Sequence, residues 1–197
     1  MSYRINEIFY SLQGEGTYTG TPAVFIRFAG CNAKCPFCDT NFREYKTLSL
    51  EGIFETIEAV APEGVQLVVL TGGEPSLQVD RMLIFRLRQR FKIVAMETNG
   101  TSATIAGCFI TASPKEDFFP AAKVNLQFAD EVKVVFDGIH DPEKWRERIS
   151  ANAYFIQPCD TQDDRENAVI LAKAVEFCKQ HPGWRLSLQT QKILNIR

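Results

Sequence analysis

The sequence lacks an excess of charge of either sign and lacks any long hydrophobic run. Its 22 basic and 24 acidic side chains nearly balance, whereas nucleic-acid-binding surfaces normally concentrate basic residues. No stretch approaches the ~18 apolar residues that span a bilayer, and the start of the chain lacks the apolar core of a secretion signal. We therefore expect neither a nucleic-acid nor a membrane partner, and a cytoplasmic location.

Histidine is also scarce, since only His140 and His181 are present and both lie far from the early cysteines. Three of the six cysteines, Cys31, Cys35 and Cys38, fall close together, which favours a metal centre over disulfides. Structural zinc usually takes four Cys or His ligands. A triad without an obvious fourth ligand therefore favours a 4Fe–4S cluster with one open iron, and zinc remains the alternative.

Short apolar runs alternate with amphipathic segments, without internal repeats or linker-like stretches. Strands are predicted at residues 23–29, 66–70, 92–96, 108–111, 131–136, 153–156 and 185–189, and helices at residues 50–60, 77–91, 142–149 and 163–179. This alternation is typical of parallel βαβ units. Complete barrels take about 250 residues, so the chain predicts a single α/β domain, residues 1–197, forming a partial, open TIM-like barrel of about six βα units.

Polar loops that contain glycine or proline follow several of the predicted strands. They are the cysteine loop, TGGEP (residues 71–75), ETNG (97–100), ASPK (112–115) and QPCD (157–160). In barrel-like α/β folds the carboxyl ends of the strands share one rim, where sites are built. The loops therefore predict one shared site, although glycine and proline also occur in ordinary turns.

Two motifs together resemble the radical S-adenosylmethionine (SAM) superfamily. The first is the C-x3-C-x2-C loop after the first predicted strand, with Phe37 before its last cysteine, and the second is TGGEP after the next strand. The resemblance implies a fold of the radical SAM type and a 4Fe–4S cluster held by Cys31, Cys35 and Cys38. Contacts to SAM are implied at Gly73, Glu74, Ser113, Pro114, Lys115, Gln157, Pro158, Cys159 and Asp160.

Further segments are similar to the 7-carboxy-7-deazaguanine synthase family over nearly the whole chain. They are SLQGEG (residues 11–16), Arg27, CDT (38–40), ETNG, SPK, QP and LSLQTQK (186–192). The resemblance implies conversion of 6-carboxy-5,6,7,8-tetrahydropterin to 7-carboxy-7-deazaguanine, with ring contraction and loss of ammonia, in queuosine and deazapurine biosynthesis. It also implies a reducing partner such as flavodoxin or ferredoxin, and a homodimer.

The same resemblance implies individual roles for residues near the pterin. Arg27 would bind the substrate carboxylate, for which a guanidinium is a natural partner, and the Thr40 hydroxyl would bind Mg²⁺. The other substrate contacts would be Leu12, Gln13, Gly14, Thr71 and Gln191. Gln191 departs from the family pattern QTHK, and because glutamine does not titrate near neutral pH it excludes proton transfer at that position. We also expect the end of the chain near the pocket.

Two alternative functions remain open. An activase of glycyl-radical enzymes shares the C-x3-C-x2-C loop, but it acts on a large protein and needs neither Mg²⁺ nor a carboxylate-binding arginine. A non-catalytic iron–sulfur module would need the cysteines alone. Arg27, Thr40 and the SLQGEG segment favour the pterin enzyme.

Overall fold

The computed structural model describes residues 2–40 and 44–197. Its elements, in chain order, are β1 (Ser2–Leu12), β2 (Pro22–Phe28), β3 (Lys46–Ser49), α1 (Leu50–Val60), β4 (Leu67–Gly72), α2 (Arg81–Arg90), β5 (Ile93–Thr98), β6 (Phe109–Ala112), β7 (Phe128–Phe136), α3 (Glu143–Arg148), β8 (Ser150–Pro158), α4 (Asp164–Gln180), β9 (Arg185–Leu186) and α5 (Thr190–Ile193).

A single sheet contains these strands in the order β3-β1-β2-β4-β5-β6-β7-β8-β9. From β2 onward in this order, each strand is parallel to the next. Strand β1 is antiparallel to both β2 and β3. Within the described residues β3 and β9 do not pair, so the sheet stays open. The predicted α/β fold with a partial, open barrel is confirmed.

The predicted strands and helices are present, with ends that differ by a few residues. The helix predicted from residue 77 begins at Arg81, because Pro75–Leu77 forms a 3-10 turn and the Asp80 side chain caps α2 by accepting from the Leu83 amide. The strands β1 and β3 and the short helix α5 are not predicted from the sequence. A bulge between Ile5 and Glu7 interrupts the alternation of β1, which obscures its strand pattern.

The outer face of the sheet is covered by helices. On one half, Ile53 and Ile57 of α1 and Leu83 and Leu87 of α2 are fully buried against the sheet. On the other half, helices α3 and α4 contribute buried residues that include Trp145 to a second cluster. In the part of the chain that the structure describes, no helix is long and apolar enough to cross a membrane.

The inner face of the sheet changes from apolar to polar along its strands. Side chains on a strand alternate between the two faces with a period of two. Towards the amino ends the inner positions form a small apolar cluster of Phe9, Ala23, Phe25, Leu67, Val69 and Ala95. Two positions further along β2, β4 and β5, the inner residues are Arg27, Thr71 and Glu97, and all three line a cavity. The apolar cluster is thus the floor beneath a polar rim.

Candidate active site

A cavity of about 590 Å³ opens at the carboxyl ends of the parallel strands. Of the site residues predicted from the sequence, Pro114 alone does not line it. The residues that do are Leu12, Gln13, Gly14, Arg27, Cys31, Cys35, Cys38, Thr40, Thr71, Gly73, Glu74, Ser113, Lys115, Gln157, Pro158, Cys159, Asp160 and Gln191. The structure brings these residues together, and their individual roles remain predictions.

The three cysteines line the cavity from the loop after β2. The Cys38 amide donates to the Cys35 carbonyl (3.2 Å), and burial raises the pKa of the Cys31 and Cys35 thiols. Among residues 2–40 and 44–197, no three His, Cys, Asp or Glu side chains are grouped so as to hold a metal ion. Structural zinc usually takes four Cys or His ligands, whereas three thiolates from one loop fit a 4Fe–4S cluster with one open iron.

The TGGEP loop packs directly against the cysteine loop through backbone contacts. The Gly73 amide donates to the Phe28 carbonyl and the Glu74 amide to the Gly30 carbonyl, both at 2.9 Å. A Cβ atom on Gly73 would lie only 1.9 Å from the Gly30 carbonyl oxygen. Glycine is therefore required here because the two loops approach so closely.

The Glu74 carboxylate accepts several hydrogen bonds inside the protein. Its side chain is almost fully buried and accepts hydrogen bonds from the hydroxyls of Ser76 and Thr98, both at 2.6 Å, and from the Asn99 amide at 2.7 Å. These bonds join the loop after β4 to the loop after β5. Glu74 thus stabilises the shape of the cavity wall.

Two lysines stabilise the rim, Lys115 within one loop and Lys192 between two loops. The Lys115 ammonium, whose pKa burial lowers, donates to the Ser113 carbonyl (2.8 Å). Lys192 bridges Asp39 of the cysteine loop (2.8 Å) and Asp160 after β8 (2.7 Å). The hydrogen bond from Lys192 lowers the pKa of Asp160 to about 2. The bridge therefore joins the cysteine loop to the opposite wall.

The segment after β1 crosses the open side of the barrel. The Gln13 side chain donates to Glu97 at the end of β5 (3.0 Å), and the Thr17 amide donates to Glu131 of β7 (2.9 Å). Further along, the Thr190 hydroxyl donates to the Gly14 carbonyl (2.9 Å). The SLQGEG segment thereby joins strands that the sheet itself leaves apart.

A buried ion network lies beneath this segment. The Lys133 ammonium contacts the carboxylates of Glu15 and Glu97 and its residue is 2% exposed. Burial alone would lower the pKa of Lys133, but the two carboxylates outweigh burial and raise it. Burial likewise opposes ionisation of Glu15, yet Lys133, Gln191 and Gln189 lower its pKa to about 2. Lys133 and Glu15 are therefore both charged in this network.

Sequence reasoning does not predict Lys133 or Glu15 as site residues. One signal was available in β7, where Glu131 and Lys133 alternate with buried valines in the segment EVKVVF. Charged residues at every second position of a buried strand indicate an inner face with polar partners.

Gln191 is fixed between Glu15 and Gly14. Its amide nitrogen donates to Glu15 (2.9 Å), while its buried Oε1 has no hydrogen-bond partner in the described part of the chain. A Cβ atom on Gly14 would lie 1.8 Å from that oxygen. The side chain of Gln191 therefore packs on the backbone of Gly14, and both residues line the cavity.

Arg27 and Thr40 meet at the same side of the cavity. The Arg27 guanidinium donates through Nε to Glu7 (2.9 Å) and through Nη1 to the Thr40 hydroxyl (3.5 Å). It also lies over the Phe9 ring, 5.7 Å from the centroid. Arg197, the last residue of the sequence, also lines the cavity.

Comparison with known proteins identifies relatives over the whole chain. The sequence model of the Radical SAM superfamily matches residues 25–151. A 7-carboxy-7-deazaguanine synthase from Bacteroides thetaiotaomicron is 46% identical, with 100% of both chains covered, and one from Bradyrhizobium diazoefficiens is 39% identical over the same full coverage. The crystal structure of QueE from Escherichia coli superimposes with a TM-score of 0.75 at 26% identity, covering 95% of this chain and 94% of that one.

Proposed function

This chain belongs to the radical SAM superfamily and, within it, to the 7-carboxy-7-deazaguanine synthase family, and we propose from this premise how its cavity works. The reaction is the conversion of 6-carboxy-5,6,7,8-tetrahydropterin to 7-carboxy-7-deazaguanine, with ring contraction and loss of ammonia. This places the enzyme among the lyases of queuosine and deazapurine biosynthesis.

One observation carries the proposal: a single cavity is lined both by the three cysteines and by the Arg27 and Thr40 pair. The cysteines alone would suit any radical SAM enzyme or an iron–sulfur module. A guanidinium beside a hydroxyl in the same cavity suits a small substrate with a carboxylate. A large protein substrate would not need this enclosed pair.

The family implies a 4Fe–4S cluster and SAM as cofactors. Cys31, Cys35 and Cys38 would hold the cluster, and the backbone at Gly73 would meet SAM. When bound, these groups supply the radical that starts the reaction. Further SAM contacts are proposed for residues that line the same cavity, namely Glu74, Ser113, Lys115, Gln157, Pro158, Cys159 and Asp160, with Pro114 next to them.

The remaining residues of the cavity bind and orient the pterin. Arg27 takes the carboxylate, and Thr40 contributes a hydroxyl oxygen to Mg²⁺, which prefers oxygen ligands. Leu12, Gln13, Gly14, Thr71 and Gln191 line the rest of the substrate space. The apolar floor around Phe9 and Phe25 and the crossing SLQGEG segment limit access of water, which protects a reactive intermediate.

The wider setting follows the family. A radical SAM enzyme needs a reductant, and we propose a small flavodoxin-type or ferredoxin-type donor in the cytoplasm. We also propose that the enzyme is a homodimer, which light scattering of the reconstituted protein checks directly. A monomer with full activity would refute the dimer without affecting the proposed reaction.

The test of the proposed reaction is anaerobic incubation of the reconstituted protein with the carboxylated pterin, SAM, Mg²⁺ and a chemical reductant. We expect a product with the mass of 7-carboxy-7-deazaguanine and release of ammonia. SAM cleavage without any deazapurine product would refute the proposed substrate assignment. Omitting Mg²⁺ tests the Thr40 assignment separately, since a Thr40→Val variant should lose the response to Mg²⁺.

A further inference from the structure

We propose that Glu7 is a positioning residue, which holds Arg27 by one edge of its guanidinium so that the other edge faces the substrate carboxylate. This inference rests on the proposed function, because it assumes that Arg27 binds that carboxylate. It adds to that function a residue to which neither the sequence motifs nor the cavity chemistry assigns a role.

The bulge in β1 is the first observation. Ile5 pairs with Phe28 and Glu7 pairs with Arg27, so two steps along β1 match one step along β2 and Asn6 is the extra residue. An extra residue reverses which face the following side chains occupy.

The clusters in which the β1 side chains are buried agree with this reversal. Before the bulge, Tyr3 and Ile5 belong to the outer core beneath the helices, whereas after it Phe9 belongs to the inner cluster. Glu7 shares the face of Phe9 and lines the cavity. Without the bulge Glu7 would point into the outer apolar core. The bulge thus brings a carboxylate to the inner face directly opposite Arg27.

The contact between the two side chains is the second observation. Glu7 Oε1 accepts from Arg27 Nε at 2.9 Å, while Nη1 points to the Thr40 hydroxyl. In the described part of the chain the hydrogen bond between Glu7 and Arg27 is made through Nε and not through a terminal nitrogen. A carboxylate that stood in for the substrate would take the two terminal nitrogens in a bidentate pair. Glu7 instead occupies the Nε position and leaves the terminal edge open.

Phe9 fixes the guanidinium from a third direction. Its ring stacks on Phe25 with 4.9 Å between centroids, and Arg27 lies over it at 5.7 Å. Arg27 is therefore held by a carboxylate at Nε and by a ring face. The other oxygen of Glu7 contacts Arg197 (3.3 Å), whose side chain is 73% exposed. Glu7 thus lies between the guanidinium groups of Arg27 and Arg197.

The experiment compares Glu7→Ala with Glu7→Gln, which keeps an acceptor oxygen at the same place. Without the bond to Nε the guanidinium gains freedom, so Glu7→Ala should raise KM for the carboxylated pterin about tenfold, with kcat changed by less than about twofold. Glu7→Gln should restore most of the affinity. Glu55→Gln, on the exposed side of α1, is the matched control and should leave KM unchanged.

Equilibrium binding to the unreduced holoenzyme gives a second readout. Glu7→Ala should weaken binding of the carboxylated pterin by about tenfold. It should leave the binding of a tetrahydropterin without the carboxylate unchanged. An equal loss for both ligands would show a merely structural role, and tighter binding of the carboxylated pterin would show that Glu7 competes with substrate. Either result, or no change, overturns the proposal. Failure of the proposed function is distinct, because then the wild-type enzyme makes no product.

Discussion

The two ends of the cavity are built in different ways. The cluster end consists of Cys31, Cys35, Cys38 and Gly73, and the charged end consists of Glu7, Glu15, Arg27 and Lys133. At the cluster end the loops meet through backbone hydrogen bonds and one close glycine approach. At the charged end, side chains from β1, β2, β7 and the SLQGEG segment form ion pairs. The first end depends on local loop shape and the second on strand register.

This difference implies that the two ends respond to separate changes. A change in a loop at the cluster end should act on the cluster and SAM, because the cysteine loop and the TGGEP loop meet there through their backbones. A change at the charged end should act on the pterin or on stability, because those side chains form ion pairs.

Replacing a cysteine of the triad should have the largest effect. Cys35→Ala should abolish SAM cleavage, since one cluster ligand is lost, while the fold persists. Iron and sulfide content and absorbance at about 400 nm after anaerobic reconstitution give the measurement. Cys178→Ala, on α4 away from the cavity, is the control and should bind iron like the wild type. Full iron content in Cys35→Ala would contradict the assignment.

Removing the buried lysine should destabilise the charged end. Lys133→Met leaves the Glu15 and Glu97 carboxylates without their cation, and breaking a buried pair costs about 3–5 kcal/mol of unfolding free energy. Urea denaturation measures the loss. Adding Glu15→Gln to Lys133→Met removes a stranded charge, so the double variant should be more stable than Lys133→Met alone. A double variant that is less stable would contradict the pairing.

Adding a methyl group at the cluster end should weaken the binding of SAM. Gly73→Ala places a Cβ against the Gly30 carbonyl oxygen, so the TGGEP loop must move away from the cysteine loop. We expect SAM affinity to fall by about tenfold or more, the effect of a contact worth one to two kcal/mol, while binding of the pterin is retained. Gly52→Ala in α1 is the control, because its nearest neighbour would be 3.7 Å away. Unchanged SAM binding in Gly73→Ala would refute the loop's role.

The ionised Glu15 should contribute stability that depends on pH. Lys133 lowers the pKa of Glu15 from 4.5 to about 2, so the contribution is complete above pH 4.5 and is lost as pH falls towards 2. The difference in unfolding free energy between wild type and Glu15→Gln should therefore shrink across that range. Urea titrations at several pH values provide the test, and a difference that stays constant below pH 4.5 would contradict it.

The sequence predicts the cluster end far better than the charged end. The cysteine spacing and TGGEP each lie within a few consecutive residues, so their chemistry is visible without any tertiary information. Lys133 and Glu15 are 118 positions apart, and their pairing depends on how the SLQGEG segment crosses the barrel. Glu7 meets Arg27 only because a bulge shifts the register of β1. Such contacts follow from tertiary structure, which local patterns do not encode.

The separation of the two ends is tested most directly in Arg27→Gln, by measuring the binding of SAM and of 6-carboxy-5,6,7,8-tetrahydropterin separately. Arg27 lies at the charged end and is proposed to bind only the substrate carboxylate. We expect the pterin affinity to fall by about a hundredfold, the effect of losing a charge-assisted pair, while the SAM affinity stays within about twofold of the wild type. An unchanged pterin affinity, or an equal loss for SAM, would contradict this expectation.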